Sequence, residues 1–111
     1  MKVTVSRDNL RIGMNRVSPF VGSRTTLPIL NNVLLVAEGD TLSLTTTDLE
    51  VGIRTQIPAF VEEAGSTTLP AKKLQSIIGA LSDGDVTLTM EEGHQTNLRC
   101  GRSEFKILGM D

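Results

Sequence analysis

Three short turns constrain this chain more than any other feature: Glu38-Gly39-Asp40, Glu92-Gly93-His94 and Gly101-Arg102-Ser103. Each separates two segments of alternating apolar and polar residues by so few positions that the flanking strands must form antiparallel hairpins. Strands read at Val3–Val5, Ile29–Val36, Thr41–Thr46, Glu50–Ile57, Ser66–Leu69, Val86–Met90, Thr96–Cys100 and Phe105–Leu108. Most alternate with period two, so one face of a sheet is buried and the other meets water or a partner.

Two segments follow the helical period instead. Over Asp8–Val17, Leu10, Met14 and Val17 stack on one stripe, while Asp8, Arg11, Asn15 and Arg16 fall away from it together with the less fitting Ile12. The second helix begins at Pro70, where a first-turn proline is tolerated, and carries Leu74, Ile77, Ile78 and Leu81 at i, i+3, i+4 and i+7. Its other face offers Lys72, Lys73, Ser76, Gly79 and Ala80, and the turn residues Ser82-Asp83-Gly84-Asp85 end it. The reading is an α+β domain in the order β-α-β-β-β-β-α-β-β-β, with two helices packed on antiparallel sheet. Each half supplies one helix and then a meander, a loose internal echo without a clear sequence repeat.

A length of 111 residues suits one domain with one modest core. The net charge of −2 argues against a wholly basic nucleic-acid binder, but the charge is unevenly spread. Residues 1–24 hold five basic side chains (Lys2, Arg7, Arg11, Arg16, Arg24) against Asp8, whereas residues 25–111 hold six against twelve acids. Such a chain can attract phosphate on one side without clinging to it everywhere. No apolar run approaches the roughly 20 residues of a membrane span, and MKVTVSRD lacks the apolar core of a secretion signal. Cys100 has no partner for an internal disulfide, which points to a reducing cytoplasm.

Catalytic and cofactor readings find little support. His94 stands in an acidic turn, where a solvated residue is the ordinary reading, and Cys100 alternates with Leu98 on a strand as a small buried hydrophobe would. Asp48 and Glu50 occupy alternate positions at a strand junction, where solvent-facing carboxylates are ordinary. Neither a G-x-S-x-G elbow, a phosphate-binding glycine loop nor a metal-ligand spacing is present, so neither catalytic residue, cofactor nor metal is expected.

The run Arg24–Gly52, RTTLPILNNVLLVAEGDTLSLTTTDLEVG, resembles the first domain of the bacterial sliding clamp, the beta subunit of DNA polymerase III. Residues 67–74, TTLPAKKL, resemble that family's entry to its second helix, and residues 98–105, LRCGRSEF, its last hairpin. With these pieces in order, the resemblance spans residues 1–111 and implies a DNA-clamp domain, the first of three, with the second and third absent from this sequence. It implies a non-catalytic processivity factor: two subunits close head to tail into a ring around duplex DNA, helices lining the hole. Contacts to the DNA backbone would then be weak, salt-sensitive and indifferent to sequence.

The resemblance also implies roles for particular residues. Arg24 matches a loop arginine that touches DNA, and Lys72 a basic residue at the start of the second inner helix. Arg7, Arg11 and Arg16 join them by helix placement, with a solvated arginine on an exposed face as the alternative for each. Lys73 matches a lysine near the subunit boundary and serves either DNA or the interface. Phe105 matches an aromatic residue that packs on the neighbouring subunit, with ordinary core as the alternative; Arg102 matches a basic partner for acids there, and Ile107 shares that strand. Glu104 departs from the pattern of members in which a basic residue stands beside the aromatic. The groove for polymerase and clamp-loader peptides lies between the second and third domains of the family, outside this sequence, and no membrane contact is implied. A non-catalytic interaction domain that pairs through a sheet edge is the alternative function.

Overall fold

The computed structural model describes residues 1–21, 31–48 and 50–109. Arg24, expected at the DNA, lies outside the described residues. Strand β1 (Lys2–Ser6) runs directly into helix α1 (Arg7–Val17). A meander follows: β2 (Asn32–Glu38), β3 (Thr41–Thr47) and β4 (Gly52–Pro58). After the short β5 (Phe60–Glu63) come β6 (Gly65–Pro70) and helix α2 (Ala71–Ala80). A second meander, β7 (Asp85–Met90), β8 (Gln95–Cys100) and β9 (Ser103–Leu108), completes the order.

Two antiparallel sheets result, ordered β5-β1-β7-β8-β9 and β4-β3-β2-β6. The internal echo of the sequence becomes a reciprocal exchange. β1, which leads into α1, pairs with β7 of the second meander, and β6, which leads into α2, pairs with β2 of the first. Neither half can bury its sheet without the strand lent by the other.

The expected order needs one correction, because β5 is a ninth strand. Its sequence, FVEE, is too short and too weakly alternating to stand out. Tertiary pairing makes it: Val61 lies opposite Val3 and Phe60 opposite Thr4, beside a register shift at Lys2/Val3. The first helix and most strands otherwise begin or end within two residues of expectation.

Local chemistry explains the helix ends. Ser6, still extended, accepts a hydrogen bond at Oγ from the Asn9 amide at 3.0 Å and caps α1. Asp8 in the first turn and Arg16 in the last both complement the helix dipole. At the far end the Ser18 hydroxyl donates to the Met14 carbonyl, and Pro19 follows in a short 3-10 turn. Pro70 sits at the cap position of α2, one residue earlier than the first turn, where its missing N–H costs nothing.

The core lies between the sheets and under both helices. Leu10, Met14 and Val17 of α1 and Leu74 and Ile78 of α2 are buried with the inward rows of the strands, whereas Ile12 is exposed as its position on the helix requires. Ile77 is only half-buried at the core margin. Gly13 permits the closest approach of α1 to its sheet: a Cβ there would meet Ile57 Cγ2 at 3.1 Å. At the other side Gly109 closes the end of β9 over β6, donating to the His94 carbonyl at 2.8 Å, and a Cβ there would collide with the Thr68 carbonyl.

Thr46 is 2% exposed and donates from Oγ1 to the Val17 carbonyl at 2.6 Å, tying the last turn of α1 to β3. Thr46→Val keeps the shape but removes the donor. Chemical denaturation is expected to register a loss of about 1–3 kcal/mol, and an unchanged midpoint would count against this tie.

Candidate nucleic-acid interface

The helices run antiparallel on one side of the domain. Arg7 at the start of α1 reaches Ile78 near the end of α2, and Arg11, Met14 and Asn15 share a groove with Gln75, Ile78 and Gly79. Leu10, Met14 and Val17 of α1 and Leu74 and Ile78 of α2 point down into the core, so each helix keeps one exposed face. Those faces carry four exposed cations: Arg11, Arg16, Lys72 and Lys73.

Helical spacing separates these cations. Lys72 stands three and seven residues before Gln75 and Gly79 of that groove, and itself lines a shallow depression with Lys73, Ser76 and Ile77. Arg11 borders the same groove from α1. Lys73 stands four residues before Ile77, on the flank turned away from α1. Arg16 is also on a flank, with Nη1 donating to Thr55 Oγ1 of β4 at 3.2 Å. Arg11 keeps a long ion pair with Asp8 at 3.8 Å, both groups more than half exposed; such a pair is easily exchanged for another anion. Arg7 differs from the rest, because its side chain is mostly covered and engaged with α2 and Asp83.

The two lysines conflict with the needs of their own helix. They occupy the first turn of α2, where the dipole is positive, no acid is present and cations are unfavourable. Helix stability therefore does not explain them, whereas an external anion would. Lys72→Glu is expected to stabilise the domain by about 0.3–1 kcal/mol, read as a higher midpoint in thermal melting. A lower midpoint would mean that the lysine serves the fold.

The last hairpin forms a second feature. Register aligns Val3, Leu88, Leu98 and Phe105 across four strands, so Phe105 sits on the inward row of edge strand β9, half-buried against the core. Ile107, expected at an interface, is buried at 4% exposure in the domain's own core. The exposed apolar residue of this strand is Leu108, 71% exposed on the outer face. Its signal was period two: with Phe105 and Ile107 inward, the next residue must point out.

Glu104 does not present an uncompensated charge. Arg99, its cross-strand partner, donates to it at 2.6 Å. That hydrogen bond chiefly, helped by the Arg99 and Lys106 charges, holds the Glu104 carboxyl below the usual glutamate range against an opposing desolvation. Arg102 and Lys106 are exposed and make no ion pair with another described residue. Because the folded pKa is depressed, the stabilisation from the Arg99–Glu104 pair is present above the unfolded value of about 4.3 and is lost as pH falls through the lower folded value. Carboxyl NMR titration is expected to find Glu104 below that value and to move it upward in Arg99→Ala.

The side chains with chemical potential elsewhere have structural explanations. Asp48 Oδ1 accepts from the Val51 and Glu50 amides at 2.8 and 3.0 Å, which lowers its pKa and makes it the pivot of the β3–β4 turn. Cys100 is buried, its thiol near the Ser82 carbonyl, and His94 is exposed at a left-handed φ of 61°. Among the described residues no group of three or more His, Cys, Asp or Glu is arranged to hold a metal, and no helix is long and apolar enough to cross a membrane.

Two helices side by side over two sheets that exchange strands define a DNA-clamp domain. The chain belongs to the DNA polymerase III beta subunit family, whose N-terminal domain model matches residues 1–111. It is 42% identical over 109 residues to the beta sliding clamp of Escherichia coli K12 and 40% identical over 119 residues to that of Synechocystis, covering 96% and 100% of this chain. The chain spans 30% of the length of each of these two relatives. The pol III beta of Caulobacter crescentus superposes with a TM-score of 0.95 at 38% identity, over 100% of this chain and 30% of that one.

Proposed function

We propose that this chain is the N-terminal sector of a sliding clamp: a ring that encircles duplex DNA and tethers the replicative polymerase to it, in the cytoplasm, without catalysing a reaction itself. The observation that carries the proposal is the shared exposed face of two antiparallel helices, with Arg11 at their groove and Lys72 exposed on the outer face of α2. In a ring those helices would form the inner wall, and the sheets would form the rim. Sparse cations on an acidic protein suit a sliding ring, because tight binding would stop it from moving, whereas a few phosphate contacts steer without arresting. Arg24 would add a further backbone contact. Arg16 and Lys73 stand on the flanks, so their reach to DNA would depend on the curvature of the ring.

The second subunit would dock on β9. That strand is paired on one side only, carries half-buried Phe105 and exposed Leu108, and presents Arg102 and Lys106 while Glu104 is neutralised within the hairpin. An unpaired edge with an apolar anchor beside cations fits an acidic strand of a neighbour. Ile107 would support this edge from beneath, and Lys73 would join the boundary from the flank of α2. Polymerase and clamp loader would bind the ring through its other domains.

The decisive experiment compares retention of the full-length ring, once loaded, on closed circular and linear duplex during a salt challenge. Persistence on circles with rapid loss from linear ends is expected. Equal loss from both would defeat encirclement and favour a plain interaction domain.

A further inference from the structure

Arg7 belongs to the basic N-terminal segment, yet its guanidinium turns into the protein. Its Nε donates to the Ile78 carbonyl at 3.4 Å, and its Nη1 lies 3.3 Å from Asp83 Oδ1. The Arg7 amide donates to the Gly84 carbonyl at 2.8 Å. One residue therefore grips both the last turn of α2 and the bend that follows it, through backbone and side chain together. Its side chain is 18% exposed, against 52% for Arg11. Arginine is chemically suited to this grip, since a guanidinium offers several donors in a rigid fork and the C-terminal carbonyls of a helix carry partial negative charge. Asp8, 3.7 Å away, adds a second carboxylate beside it.

We propose that Arg7 is a positioning residue for the DNA-facing wall, a clasp that sets the spacing of α1 and α2 and so the relative placement of Arg11 and Lys72. This rests on the clamp reading above. Turning the Arg7 guanidinium outward onto a phosphate would cost it its bonds to Ile78 and Asp83. Ser6 caps α1 immediately before Arg7, so the clasp acts at a capped end of that helix. At the opposite end no equivalent side-chain hydrogen bond joins the two helices among the described residues, and α1 is anchored to β3 through Thr46 instead. Loss of the clasp would let the two helices pivot about that anchor.

The test uses the full-length ring with nitroxides at Asn15→Cys and Ser76→Cys, both exposed positions, after replacement of other reactive cysteines. Arg7→Ala is expected to lengthen or broaden the distance between α1 and α2. Asp83→Asn, which spares the Ile78 bond, should do so to a smaller degree. Binding to linear duplex across a salt series supplies the second readout. Arg7→Ala should weaken affinity about fivefold or less, the scale of one exposed charge pair, without changing the slope of log affinity against log salt. Arg11→Ala should leave the distance intact and reduce the slope by roughly 0.9, the loss of one phosphate contact. An unchanged distance in Arg7→Ala, or a slope reduced by that amount, would overturn the proposal. Should Arg7→Ala fail to fold, an unchanged distance in Asp83→Asn would overturn it equally. If the unmutated protein shows no duplex binding, the ring reading fails, and the distance still decides the clasp.

Discussion

Every layer of this domain leans on the two strand pairings that cross between its halves, β1 with β7 and β6 with β2. Because each strand leads directly into a helix, the exchange also sets where that helix begins. α1 starts at the end of a strand held by the second meander, and α2 at the end of a strand held by the first. The helices are thereby brought to the same side, antiparallel, and the core closes under both. Loosening either pairing would unseat a helix as well as a strand, so sheet register and helix placement are one constraint.

That constraint leaves the helices with little freedom and their outer faces with much. Buried positions are filled by Leu10, Met14, Val17, Leu74 and Ile78, and Gly13 is small because the sheet is close. Outer positions are free to carry charge, and the charge they carry is not what the helices would choose. α1 complements its dipole with Asp8 and Arg16, whereas α2 opens with Lys72 and Lys73 at its positive end. The difference leaves α2 with two exposed cations that its own dipole does not favour. Arg7 makes the complementary point: a cation in the same basic segment can be consumed by the fold, and only its partners distinguish it from one that faces outward.

The two sheet edges that end the meanders, β4 and β9, are equivalent under the strand exchange. β9 shows how an edge can be solvent-compatible and still expose an apolar residue. Its inward row is anchored by Ile107 and Phe105, its charges are balanced in part by the Arg99–Glu104 pair, and Leu108 remains outside. An acid at position 104 is therefore tolerable here, since its charge is spent on a neighbour across the hairpin.

The order of helices and hairpins was legible in the residues, because turn chemistry and apolar periodicity are local and survive without any knowledge of neighbours. Lys72 and Arg11 on exposed helix faces were legible for the same reason. What remained hidden depended on partners distant in the chain. β5 exists through β1, Arg7 is turned inward by Ile78 and Asp83, Ile107 is enclosed by the core, and Glu104 is compensated by Arg99. Sequence alone determined which segments would be amphipathic and where they would turn. Tertiary structure decided which strands would be exchanged and which charges would be satisfied, since those outcomes depend on distances between residues that periodicity does not encode.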